Sequence, residues 1–279
     1  MKNIGKLKLL RIMMLIAMCA LVLSGCGKAT PEKVLLKMSL KSASDDASNC
    51  KSTGEMNIDI QASQLAIKTD VTFDQESTAK PHNSHLTMTT DMGNLGKKSI
   101  EAYVMSEDSR YCVYYDNDGK WMKMYVNNED LSGKLSELGL STFSGFTNYS
   151  EGLQNLSMTE ETLNGENVYR INADISLADA GDDVEDMINS LGLTNSSLDV
   201  SGLKNMKLNM WVYKKSYLPA KITLDMTDLM DQIMEESVKG TMAQGQVSVN
   251  TAVMTVSYSD YGKVGKITLS DEAKDARMQ

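Results

Sequence analysis

Apolar side chains recur at every second position along most of this chain, and no other feature restricts its fold as strongly. A period of two puts one side of a segment into a core and turns the other to water, which is the pattern of a half-buried β-strand. Met56, Ile58 and Ile60 alternate with Asn57, Asp59 and Gln61. Leu65, Ile67, Val71 and Phe73 share one face, as do Leu86, Met88 and Met92. Residues 100–105 and 111–115 read as two further strands. Asp116-Asn117-Asp118-Gly119 then predicts a tight turn into 121–126, since Asp-Gly supplies the left-handed positions a two-residue hairpin needs. Later strands are predicted near 156–163, 166–175, 203–214, 217–226, 244–258 and 264–269. Most connections are short, which implies antiparallel pairing.

Helices are few. One is predicted over 31–43, with Val34, Leu35 and Met38 on one side and Thr30-Pro31-Glu32 as its start. A second, over 128–139, carries Leu131, Leu135 and Leu138, with Glu129 and Asp130 in its first turn and Gly139 as its stop. A third, over 182–191, aligns Val184, Ile188 and Leu191. A fourth follows Thr227, with Leu229, Ile233 and Met234 facing inward and Gly240 closing it. A sheet of about ten strands cannot stay flat, because strand twist accumulates. The expected fold is therefore α+β: a strongly curved antiparallel half-barrel with a few helices in its concave face. No linker composition interrupts 31–279, which reads as one domain.

The first 25 residues belong to a different program. Lys2, Lys6, Lys8 and Arg11 precede an apolar run over 12–23, and Leu23-Ser24-Gly25-Cys26 follows. That is an export signal, with an apolar segment shorter than the ~20 residues of a membrane-spanning helix. The tetrad resembles the lipobox of bacterial lipoproteins. The resemblance implies that Cys26 is lipidated and becomes the N-terminus after residues 1–25 are removed. Residues 26–30 are then a short tether to the outer face of a cell membrane. Residues 1–25 hold four of the 28 basic residues and none of the 37 acidic ones, so the remainder carries a net charge of −13. Such a charge argues against nucleic acid as a partner and against electrostatic adhesion to anionic headgroups.

Two segments carry a second resemblance. Residues 211–222, from Trp211-Val212-Tyr213 through Leu218-Pro219-Ala220, are similar to a hairpin of LolA/LppX-like envelope lipoproteins and carriers. Residues 258–269, beginning Tyr258-Ser259-Asp260-Tyr261-Gly262, are similar to their closing strand, with Ser270 where the family often has proline. The match is to a Gram-positive-type branch of such lipoproteins. It implies an incomplete barrel with helices in its concavity, and acyl chains as ligands of the space between. It supplies no catalytic residue.

Candidate chemistry is sparse. His82 and His85 alternate onto opposite faces of a turn and strand, and no ligand cluster accompanies them, so no metal is expected. The stretch Asp179, Asp182, Asp183, Glu185 and Asp186 lacks the order of a calcium loop and suits a helix start. There is no Gly-x-Ser-x-Gly elbow, no Cys-His signature and no phosphate-cradling glycine loop, so neither an enzyme nor a cofactor is expected. Cys50 and Cys112 sit in or beside strands, and an exported compartment permits a disulfide between them. Methionine is abundant, with 17 after residue 25 against 3 phenylalanines in the whole chain. Met56, Met88, Met124, Met210 and Met234 are candidates to line a deformable pocket for an acyl chain; equally, they can be core. Two functions stand: a carrier or binding protein for a hydrophobic ligand, or a module that docks another envelope protein, for which Phe143, Phe146 and Tyr149 offer aromatic contacts.

Overall fold

In the computed structural model, the described residues are 29–42, 44–63, 65–107, 110–128, 130–131, 134–135, 152–176 and 202–278. Cys26 and its leader, and the helix expected over 182–191, lie outside them.

The alternating segments form one twelve-stranded sheet. The strands are β1 (Cys50–Ala62), β2 (Leu65–Thr78), β3 (Asn83–Asp91), β4 (Lys97–Glu107), β5 (Arg110–Asn117) and β6 (Lys120–Val126). They continue with β7 (Leu153–Leu163), β8 (Glu166–Ile175), β9 (Met206–Tyr213), β10 (Pro219–Asp225), β11 (Val247–Ser259) and the two-residue β12 (Arg277–Met278). Their order is β12-β6-β5-β4-β3-β2-β1-β11-β10-β9-β8-β7, so the curved sheet is open and not a closed barrel. All pairs are antiparallel except β12 on β6. The β5–β6 hairpin turns at Asp118 (φ 53°) and Gly119 (φ 81°), and the Asp116 carboxylate accepts the Gly119 N–H at 2.7 Å. The predicted two-residue loop is therefore present. Asn164 and Gly165 turn β7 into β8 in the same way.

Helix α1 (Pro31–Ser42) starts where Thr30 Oγ1 accepts the Lys33 N–H, and it buries Val34 and Met38. A four-residue α2 (Asp45–Ser48) leads into β1. Helix α3 (Thr227–Ser237) follows β10 directly, with the Asp225 carboxylate accepting the Thr227 N–H at 3.0 Å. It lies inside the sheet against β11. There it buries Leu229, Met230 and Ile233, each worth ~1.5–3 kcal/mol on removal from water. Of the helix expected over 128–139, Leu131 and Leu135 are described, and both pack against the main core. Among the described residues no helix is long and apolar enough to cross a membrane.

One expected strand is not formed. Residues 264–269 have no sheet partner, because β1 is already flanked by β2 and β11. The segment instead crosses to the outer face and packs Ile267, with Val264 and Leu269, against Tyr103, Cys112, Tyr114, Met105 and Trp121. Ser270, at the position where the resembled family often has proline, caps a short α4 (Asp271–Lys274) by accepting the Ala273 N–H at 3.2 Å. So β4–β6 are covered on both faces. Their near-continuous apolar runs over 100–105 and 111–115 are the sequence trace of that double burial.

Candidate functional site

The concave face divides along the strands. Toward the start of α3 the inward positions are Leu208, Met210, Leu224, Met254 and Ala252, all nearly fully buried. At the opposite strand ends the inward positions become small and polar. Register sets Cys50 across from Ser77, Ser52 from Gln75, and Ser77 from Ser84, and Ser84 faces Val104. Here a cavity of about 440 Å³ remains between the sheet and the α1–α2 corner. That volume lies within the usual range of small-molecule sites.

Its walls come from most of the sheet. Phe73, Val104, Val256, Leu131 and Leu135 supply apolar surface. Ser42, Ser48, Ser52, Gln75, Ser77, Thr78, Asn83 and Ser84 supply hydroxyls and amides, and Tyr111, Tyr258 and Tyr261 supply phenols. Phe73 is held over Gly54, where an added Cβ would stand 2.0 Å from its ring. Glycine at 54 is thus what lets the aromatic lie flat on β1, a close approach that any side chain would block. Asn83 is buried and its Oδ1 accepts the Ser106 N–H at 2.9 Å; Tyr261 donates to the Pro219 carbonyl at 2.8 Å. Gln75 Nε2 donates to Ser77 Oγ at 3.1 Å. Ser42 Oγ is buried and meets no partner among the described residues.

Among the described residues no Asp, Glu, Lys or Arg lines the cavity. Burial pushes the Cys50 thiol up to about 11 and raises the Tyr258 and Tyr261 phenols, so all three are neutral at ordinary pH. Neutral thiols are poor nucleophiles, and Cys50 is neutral here.

The sequence-derived candidates distribute as follows. Met56, Met88, Met124, Met210 and Met234 all belong to the main apolar core, and none lines this cavity. The expectation that methionines wall the ligand space does not hold here. Inward methionines sit where the sheet is covered, and the space lies where the inward residues are small. His82 lines the cavity, while His85 lies on the outer face, stacked on Tyr103 at 4.3 Å and 2.8 Å from Glu101. Cys50 lines the cavity, whereas Cys112 is buried on the outer face under the 264–276 segment. Both are free. A disulfide is excluded by topology. The two lie on opposite faces with β2, β3 and β4 between their strands, roughly 19 Å at the usual strand spacing. Phe143, Phe146, Tyr149 and the acidic stretch Asp179, Asp182, Asp183, Glu185 and Asp186 lie outside the described residues. Among the described residues no three or more His, Cys, Asp or Glu side chains converge as metal ligands.

The residues missed from sequence are Ser52, Gln75, Ser77 and Ser84. Their signal was a polar residue at an inward parity position, and reading it requires the strand register.

The geometry is that of an open, curved sheet wrapped around helices, with a cavity among the inward residues at one end. The chain belongs to the family of unknown function DUF6612, whose model matches residues 30–278. No curated protein matches it. Among solved structures it is similar to the lipoprotein LprF from Mycobacterium bovis, at 12% identity and a TM-score of 0.43, covering 88% of this chain and 100% of that one. It is also similar to the lipoprotein LppX from Mycobacterium tuberculosis, at 12% identity and 0.40, covering 86% and 100%. A LolA superfamily protein from Nitrosomonas europaea matches at 11% and 0.23, covering 84% and 93%.

Proposed function

We propose that this chain is a lipid-anchored extracytoplasmic binding protein that holds an amphipathic lipid, without catalysis, in the cavity beneath α1 and α2. The cavity carries the reading: about 440 Å³ of space lined both by apolar Phe73, Leu131, Leu135 and Val256 and by hydroxyls. A ligand with an apolar body and a polar end satisfies both kinds of lining at once. Lipidation of Cys26 supplies the location. Two acyl chains give stable anchoring, at ~0.8 kcal/mol per buried methylene, and the residues between Cys26 and Ala29 keep the domain at the bilayer.

Purification of the lipidated chain and mass spectrometry of its organic extract tests the reading. A stoichiometric co-purifying lipid, beyond the acyl groups on Cys26, is the expected result. An empty protein that also takes up no fluorescent fatty acid or acylglycerol would overturn it. The anchor is tested separately by Cys26→Ala, which should leave an unprocessed and unacylated precursor.

A further inference from the structure

We infer that the cavity selects an uncharged, hydroxyl-bearing head group, such as that of an acylglycerol, and rejects fatty acids and anionic phospholipids. The inference rests on the binding reading above and adds the chemistry of the ligand's polar end.

The lining shows a strong imbalance. Charged side chains are 23% of the chain, yet none of Asp, Glu, Lys or Arg is among the 20 described residues around the cavity. Among the described lining residues the one side chain able to carry a positive charge, His82, is exposed at the turn before β3. A carboxylate or phosphate placed between Ser52, Gln75 and Ser84 would lose its hydration without meeting a cation. Moving an ion out of water without a counter-charge costs several kcal/mol even after relaxation. The phenols of Tyr258 and Tyr261 and the Cys50 thiol stay protonated, so they compensate no charge either.

Hydroxyls are what the walls can pair. Ser42 Oγ is buried with no partner among the described residues, and a buried hydroxyl left unpaired costs ~1–3 kcal/mol. Ser77 Oγ accepts from Gln75, which leaves its proton free to donate. Serine and threonine hydroxyls both donate and accept, so a polyol can be matched where a pure acceptor anion would leave the acceptors unpaired. Phe73, Leu131 and Leu135 line the same cavity, so the ligand's acyl chain has apolar surface to meet there as well.

Cys50 is a built-in reporter. In the processed lipidated chain it is the cavity thiol, Cys112 is fully buried on the other face, and Cys26 would be blocked by its thioether. Alkylation of Cys50 by iodoacetamide at about pH 9.5, where part of this raised thiol is ionised, is followed on the lipidated chain in nanodiscs, with glycerol monolaurate, laurate or dodecyl phosphate at equal free concentration. The expected result is protection of at least tenfold by monolaurate and less than twofold by either anion. The variant Ser77→Ala with Ser84→Ala should lose most of the monolaurate protection at an unchanged melting temperature. Equal protection by laurate overturns the head-group inference and leaves lipid binding standing. Protection by none of the three overturns both.

Discussion

The two ends of the concave face obey the same alternation and reach opposite results. Around α3, inward Leu208, Met210, Leu224 and Met254 are buried in one cluster with Leu229, Met230 and Ile233. At the other end, inward Cys50, Ser52, Gln75, Ser77 and Ser84 are too short or too polar to fill the same curvature, and a cavity remains. One end is core, and the other leaves space. Curvature alone does not make a binding site; the volume of the inward residues decides whether the concavity is core or pocket.

Substitutions sort the two ends. Leu224→Ala removes a fully buried side chain from the packed end and should cost ~2–5 kcal/mol, read as a drop in denaturation midpoint. A loss under 1 kcal/mol would mean that this end is not packed as described. Gly54→Ala forces Phe73 off β1 and should cost ~1–3 kcal/mol; Gly54→Ala with Phe73→Leu should recover part of it, because the obstacle is the ring. Asn49 joins the cavity wall to the outer-face segment. Its side chain donates to the Val264 carbonyl at 3.1 Å and accepts the Val264 N–H at 2.9 Å. Asn49→Ala should cost ~1–2 kcal/mol and speed modification of Cys112, which the 264–276 segment covers.

The cavity thiol gives a pH test. Cys50 is raised from its ordinary value near 9 to about 11 by burial, so the folded state holds the proton more tightly than the unfolded one. Its contribution to stability is complete below pH 9 and is lost as pH rises through about 11. Comparison with Cys50→Ser over pH 8–11 should show the parent losing stability faster across that window. The smallest effect is expected for Ser77→Ala, within ~0.5 kcal/mol, because this position lines space and does not fill it. A large destabilisation there would erase the distinction between the two ends.

Much of the architecture is legible in the residues themselves. Alternation marks the strands, Asp118-Gly119 the hairpin, Thr30-Pro31 the start of α1, and Leu229 and Ile233 the inner face of α3. These are local effects, set by backbone dihedrals and side-chain period, and they act within a few residues. Residues 264–269 were misread because apolar content alone does not supply a pairing edge. Cys50 and Cys112 were open to pairing because parity does not show which face two distant strands share.

The site is a matter of register. Ser52, Gln75, Ser77 and Ser84 come from three strands, and nothing in any one strand marks them as neighbours. Pairing β1 with β2, and β2 with β3, places them in adjacent rows, and the α1–α2 corner roofs the space they leave. Period two told each strand which way its side chains face. The long-range hydrogen-bond register of the sheet chose which of those side chains meet, and so where the fold is solid and where it is hollow.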